Sequence, residues 1–481
     1  MPADAPFIRA SRRNEGRVTG AALSARAALL VLFAALLVRL AYLALVYHGG
    51  DSLRAPDSPI YEAYAQKILA GCAGGAACDP AYLAERMPGY PLFLAAIRTV
   101  AGPNPVWPVF VQILVDAGTC VLVAWLAALF DRRLALAAGL LAAVNLNMIA
   151  SAGQILTDTL FLLPFTASLI ATMRYFEVPS TPRAFAAGLL LGLALLVRST
   201  VMFFPPLLLA ALAIAAWRHR VAPARAAAHV LVAAAVTVLC VAPVLARNAA
   251  TYGRFALVSQ GGTHAVGWVV PAAREYALGI PFEEGQRRMP AEVDAQLAAD
   301  HLPRLPDDPF AASDEMEKAA SKALRQLGVM GLAKAWLAGV TINLGAPALV
   351  SVPPVAGLER PHFYETPGTG VVDKVWAFGR RAAGSTFFWL MVPALIWMTA
   401  SRALELGGLF AIGRSGGLPL GPSLYLLAVG VYFLAVTGPV TGVKYRLPLE
   451  PLLILLLAES GLWIAARRRA RGASPRRSPG Q

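Results

Sequence analysis

Apolar runs, many of them near or above about 18 residues, alternate with short basic loops and a few long polar ones along most of the chain. The first run covers 21–47. Others follow at 106–130, 134–150, 154–175, 184–197, 201–217 and 226–245, and three more close the chain at 386–400, 420–436 and 447–466. Such runs predict bilayer-crossing helices. The polar stretches are 48–105, 247–329 and 355–384, with an amphipathic helix expected near 313–326. The segment 330–354 is apolar but carries Lys334 and is rich in glycine and proline. It is expected to lie in the interface or to re-enter rather than to cross.

Composition sharpens this picture. The 481 residues are 57% hydrophobic and 15% charged, with a mean hydropathy of +0.59. Soluble domains carry roughly 25% charged residues, so a soluble fold is excluded. The expected fold is an all-α polytopic membrane protein with about ten helices, and at most about twelve. The net charge of +14 does not point to nucleic acid, because the arginines lie in short clusters between apolar runs. Arg132-Arg133, Arg218 with Arg220, and the tail from Arg467 to Arg477 mark the cytoplasmic side. With 330–354 not crossing, both termini are cytoplasmic and the long polar loops share the outer face. The layout is then a polar tail at 1–20, a membrane domain at 21–466 and a basic tail at 467–481. Within the membrane domain, the first outer loop is 48–105 and the later outer region is 247–384. The first run is too long for a signal-peptide core and reads as an uncleaved anchor.

Candidate chemistry gathers on that outer face. Asp57 stands in Arg-Ala-Pro-Asp-Ser-Pro-Ile-Tyr at 54–61, where prolines fix the backbone around it. It reads as a general base or as a helix N-cap. Asp158, in Gly-Gln-Ile-Leu-Thr-Asp-Thr-Leu-Phe, sits at the outer end of a predicted span, where an acid is costly unless paired, capping or functional. Asp57 and Asp158 could share a divalent cation, or act as base and orienter. Glu85-Arg86 precede Met-Pro-Gly-Tyr-Pro. Arg247 follows Ala-Pro-Val-Leu-Ala, and Lys444-Tyr445-Arg446 precede Leu-Pro-Leu-Glu-Pro. Arginine matches phosphate by bidentate hydrogen bonding, although any one of these cations could instead snorkel to lipid headgroups. Arg86, Arg247 and Arg446 together favour an anionic lipid head, with Tyr61 and Tyr445 beside them and Arg198 as a weaker fourth cation. His264 reads as an exposed loop histidine. Cys72 and Cys78 could form a disulfide if their loop faces an oxidising compartment, whereas Cys120 and Cys240 read as packing residues. No P-loop, G-x-S-x-G, H-E-x-x-H or dinucleotide fingerprint occurs. A transporter or lipid-linked-sugar flippase is the alternative. It would rely on Gln112, Asp116, Asn145 and Asn147, and a string of buried charges in the spans is not expected.

The order of these motifs resembles the C-type membrane glycosyltransferases, in the branch of bacterial protein-mannosyltransferase-like and aminoarabinose-transferase-like enzymes. The resemblance rests on the acid after the first span, Glu-Arg-Met-Pro-Gly-Tyr-Pro, Leu-Thr-Asp-Thr-Leu-Phe, Ala-Pro-Val-Leu-Ala-Arg-Asn and Tyr-Arg-Leu-Pro-Leu-Glu-Pro-Leu. It covers about residues 25–466. It implies sugar transfer from a polyprenyl-phosphate-linked donor to a lipid, glycan or protein acceptor, on the periplasmic face of the cell (inner) membrane. It also implies roles for Asp57, Glu85, Arg86 and Asp158 at the reacting groups, and a divalent metal as a conceivable cofactor. This sequence departs from the family where Met87 replaces a usual proline, and where Ser58 follows the first acid in place of a second acid.

Overall fold

The computed structural model describes residues 23–72, 84–359, 366–367, 371–415 and 420–472. The expected pairing of Cys72 with Cys78 involves a residue outside them. The described chain is helical throughout, without strands. The first helix, α1 (Ala25–Val46), starts on Ser24, whose hydroxyl accepts the Ala27 amide. Its 22 residues give about 33 Å of rise, enough for the hydrocarbon layer. Two short helices, α2 (Ser58–Lys67) and α3 (Gly89–Ala101), occupy the first polar loop. The long helix α4 (Val106–Phe130) leads to α5 (Arg132–Ala143) and α6 (Leu146–Ala152).

The expected span 134–150 is broken: α5 and α6 meet at 52°. Asn145 causes the break, because its side chain accepts the Met148 amide at 3.1 Å and so caps a new helix. Next come α7 (Thr157–Glu177), α8 (Thr181–Val197), α9 (Pro205–Arg218) and α10 (Pro223–Tyr252). Glycines let α8 and α10 approach closely. A Cβ on Gly188 would stand 2.8 Å from Ala233 Cα, and one on Gly192 would stand 2.8 Å from Cys240 Sγ.

The second polar region folds as α11 (Val270–Leu278), α12 (Phe282–Ala299) and α13 (Pro309–Gln326), which pack on one another through small apolar clusters. The amphipathic helix expected near 313–326 is α13. At Gly328, whose φ of +65° suits glycine, the chain turns by 102° into α14 (Gly328–Gly345). An amphipathic helix, α15 (Val371–Ala382), precedes α16 (Thr386–Ser415), α17 (Leu420–Thr437) and α18 (Glu450–Gly472). A 3-10 segment, Val443–Leu449, joins the last two.

The protein is therefore an all-α polytopic membrane protein. Among the described residues, six helices are long and apolar enough to cross a bilayer, or up to eight with each bent pair taken as one span. Shorter apolar helices, α3, α8, α9 and Gly421–Thr437 of α17, complete the set.

One expectation is overturned: the apolar helices do bury charges. Arg39 of α1 is fully buried and donates to Asp116 Oδ2 at 2.5 Å and to the Ala143 carbonyl at 2.6 Å. Arg446 pairs with Glu450 at 2.9 Å, and Arg402 with Glu405 at 2.7 Å. These pairs sit at helix-to-helix contacts, where a lone charge would be untenable. The polar residues assigned to a transport path are likewise engaged internally. Gln112 accepts from Tyr90 and donates to the Gln154 carbonyl, Asp116 holds Arg39, and Asn145 and Asn147 donate to Glu450.

Candidate functional site

Backbone stitches between loops assemble the site. The Ile155 amide donates to the Leu53 carbonyl at 2.9 Å, and the Ser58 hydroxyl donates to the Ile155 carbonyl at 2.7 Å. The loop before α2 is thereby fixed to the loop before α7, which brings Asp57 and Asp158 to one cavity. Asp57 is the residue before α2, but its side chain makes no capping bond; the N-cap alternative is not what holds it. Glu62 receives Arg54 at 2.8 Å and Arg98 at 2.8 Å, tying α2 to α3. The Ser259 amide donates to the Ala84 carbonyl at 2.9 Å, joining the Glu85-Arg86 corner to the segment before His264.

The cavity holds about 480 Å³. Asp57, Tyr61, Arg86 and Asp158 line it from the first half of the chain. Arg198 follows α8, His264 ends a helical turn before α11, and Lys444 and Tyr445 come from the 3-10 segment. Met202, Phe203 and Val436 supply an apolar wall.

Charge in the cavity is arranged in pairs with one exception. Lys444 Nζ lies 2.7 Å from Asp57 Oδ2. Arg198 pairs with Asp158 and also donates to Thr200 Oγ1 at 2.9 Å. Arg86 is the exception: its Nε and Nη1 are buried without a hydrogen-bond partner among the described residues. An arginine left so is poised for an anion. Burial pushes the Asp57 carboxyl upward, but Lys444, then Arg86 and Arg198, outweigh it and hold the group below the usual carboxylate range. Burial pushes the Tyr61 phenol up against the pull of Arg86 and Arg198, so it stays a hydrogen-bond donor. Burial, then Arg86 and Lys444, pushes His264 below 6.5, which keeps its ring neutral near pH 7.

Of the residues proposed from sequence, Asp57, Tyr61, Arg86, Asp158 and Tyr445 meet in this cavity. Three do not line it. Glu85 is half-buried beside Arg86. Arg247 donates to Asn248 Oδ1 at 2.9 Å and to the Tyr64 hydroxyl at 3.3 Å. Arg446 is corrected from phosphate ligand to buried brace. It is 1% exposed, with its guanidinium on Glu450 and on the carbonyls of Asn343 and Ala346. Lys444, and not Arg446, lines the cavity. His264, read as an exposed loop residue, is also corrected: it lines the cavity.

A shared divalent cation does not fit this donor set. Both carboxylates already face a protein cation, and no group of three or more His, Cys, Asp or Glu suited to a metal occurs among the described residues.

A family model agrees with the resemblance read from the loops over part of the chain. Residues 85–246, about a third of the chain, match the family described as dolichyl-phosphate-mannose-protein mannosyltransferase. Glu85, Arg86, Asp158 and Arg198 all fall within the match. No curated protein matches the chain. Among solved structures, the chain is similar to the archaeal oligosaccharyltransferase AglB from Archaeoglobus fulgidus, in complex with an inhibitory peptide and a dolichol-phosphate. That likeness has 14% identity and a TM-score of 0.48, and covers 93% of this chain and 52% of that one. It is also similar to ArnT from Cupriavidus metallidurans bound to undecaprenyl phosphate, with 16% identity, a TM-score of 0.38, and cover of 93% and 81%. Against ArnT in the apo state the values are 16%, 0.40, 90% and 76%. The chain thus spans about half the length of AglB.

Proposed function

We propose that this chain is an integral-membrane glycosyltransferase that moves a sugar from a polyprenyl-phosphate-linked donor to an acceptor on the outer face of the membrane. The observation that carries the reading is Arg86, half-buried, with its buried Nε and Nη1 unpartnered among the described residues, in a cavity that also holds two paired carboxylates. The family match over 85–246 and its printed substrate, a sugar on dolichyl phosphate, support the donor class.

In this reading the donor phosphate lies against Arg86, with the Tyr61 hydroxyl beside it as a further donor. The prenyl chain leaves along the apolar wall of Met202, Phe203 and Val436 into lipid. An acceptor hydroxyl then approaches the anomeric carbon from the Asp57 side. The carbon–oxygen bond to phosphate breaks and its electron pair stays on the phosphate, where fixed positive charge stabilises it. The new glycosidic bond forms on the opposite face, so one displacement inverts the anomeric centre. The acceptor proton passes to Asp57. A carboxylate with a depressed pKa is a weak base, so it acts late, once the hydroxyl has begun to bond and has become acidic. Lys444 and Arg198 hold the two carboxylates in place and add positive charge near the leaving group.

The test is binding of a fluorescent polyprenyl phosphate to purified protein, wild type beside Arg86→Ala. The variant is expected to stay folded and to lose at least about tenfold in affinity, the scale of a lost charge-assisted hydrogen bond. Unchanged affinity would remove Arg86, and with it the main support for this reading.

A further inference from the structure

Lys444 has no long helix to hold it, yet its ammonium must meet Asp57 across the cavity. It sits in the 3-10 segment Val443–Leu449; polar side chains grip the backbone just before it, and the Arg446 side chain anchors the segment just after it. Asn343, at the end of α14, accepts the Gly442 amide at 2.9 Å and donates to the Val440 carbonyl at 3.0 Å. Asn147 of α6 donates to the Val443 carbonyl at 3.0 Å and to Glu450 Oε1 at 2.9 Å. Arg446 donates to the same Glu450 oxygen at 2.9 Å and to the Ala346 carbonyl at 2.8 Å. Asn147, Asn343, Arg446 and Glu450 are each at most 2% exposed.

Burying these groups is costly, and well-packed apolar residues would hold the helices together as well or better. What apolar residues could not do is fix the backbone at 440–443 by hydrogen bonds while sending the next side chain into the cavity. We infer that Asn147 and Asn343, with the Arg446–Glu450 pair, form a positioning knot that holds Lys444 against Asp57. The Asn145-Leu-Asn147 turn that breaks the α5–α6 helix is then the means by which Asn147 reaches the 3-10 segment. This inference rests on the proposed transfer at this cavity.

The test is a double-mutant cycle on transfer from a polyprenyl-phosphate sugar donor, with melting temperature in detergent measured alongside. Asn147→Ala is expected to lower kcat about tenfold with donor KM nearly unchanged, a coupling of about 1.4 kcal/mol. In a Lys444→Ala background the same change should have no further effect, because Lys444 is what the knot positions. His229→Phe removes the buried 2.8 Å contact with the Tyr175 hydroxyl and touches no atom of 440–450. It should lower the melting temperature yet leave kcat within about twofold. If Asn147→Ala does not fold, Asn343→Ala enters the same cycle from the other side of the loop. Equal losses of kcat in the wild-type and Lys444→Ala backgrounds would overturn the knot as a positioning device. Absence of transfer by the wild-type protein from any donor would instead overturn the reading beneath it.

Discussion

Arg86 is the residue on which the proposed chemistry turns, because it is the cavity cation whose buried Nε and Nη1 lack a partner among the described residues. Removing such a group from a site of developing negative charge costs about 100-fold or more in rate. Arg86→Ala is therefore expected to lower transfer by about that factor. Arg86→Lys should restore little, because an ammonium cannot reproduce the planar fork. A steady-state assay of the two variants checks both. His264 gives a second expectation. Its folded pKa lies below 6.5, so below about pH 6.5 the unfolded chain binds a proton that the folded site resists. Asp57, Arg86, Arg198 and Lys444 are the charges that bear on it. Stability should fall as pH drops from 6.5 toward the folded value, and His264→Gln should flatten that part of the melting-temperature profile. Asp57, Asp158 and Arg86 were legible in the sequence because prolines, a span end and a Pro-Gly-Tyr-Pro corner flank them. Lys444 and Arg446 were not separable. A 3-10 turn has about three residues per turn, so side chains two apart point to different sides, and only one of these faces the cavity.

At the scale of elements, the site depends on close approach between the first polar loop, the start of α7 and the end of α8. Gly89, the first residue of α3, makes that approach possible: a Cβ there would lie 2.6 Å from the Leu196 carbonyl oxygen and 2.8 Å from its carbon. Gly89→Ala must push α3 off α8, and overpacking of this kind costs about 1–3 kcal/mol. Because Arg86 is three residues away, the same change is expected to lower transfer by more than the lost folded fraction explains. Thermal melts and activity on one preparation would decide it. The hydrophobic pattern located α1, α4 and α7 to α10 closely, since long apolar runs have few alternatives in lipid. It missed the break between α5 and α6. Two asparagines inside an apolar run leave the pattern intact, while the Asn145 side chain starts a new helix. The turn at Gly328 lay within the expected polar-to-apolar transition, but its 102° angle was not legible there; the helix it opens, α14, packs against α11 and the 3-10 segment.

For the whole molecule, buried ion pairs add to the packing of apolar helices. Arg39 and Asp116 lock α1 to α4 and to the end of α5. Arg39→Met would leave a buried carboxylate uncompensated and should cost about 3–5 kcal/mol, whereas Arg39→Met with Asp116→Leu should recover most of that loss. Melting temperatures of the three proteins check this directly. Two arginines, Arg26 and Arg39, within 22 otherwise apolar residues barely alter a hydropathy window, so the fold class was legible in the sequence while its internal charges were not. The central claim is transfer itself. Membrane fractions holding wild type or Asp57→Asn would be given a panel of radiolabelled polyprenyl-phosphate sugars, with and without chelator. Label is expected to be moved by the wild type from at least one donor, insensitive to chelator, and none by Asp57→Asn at equal folded protein. Equal transfer by the two proteins would contradict the claim.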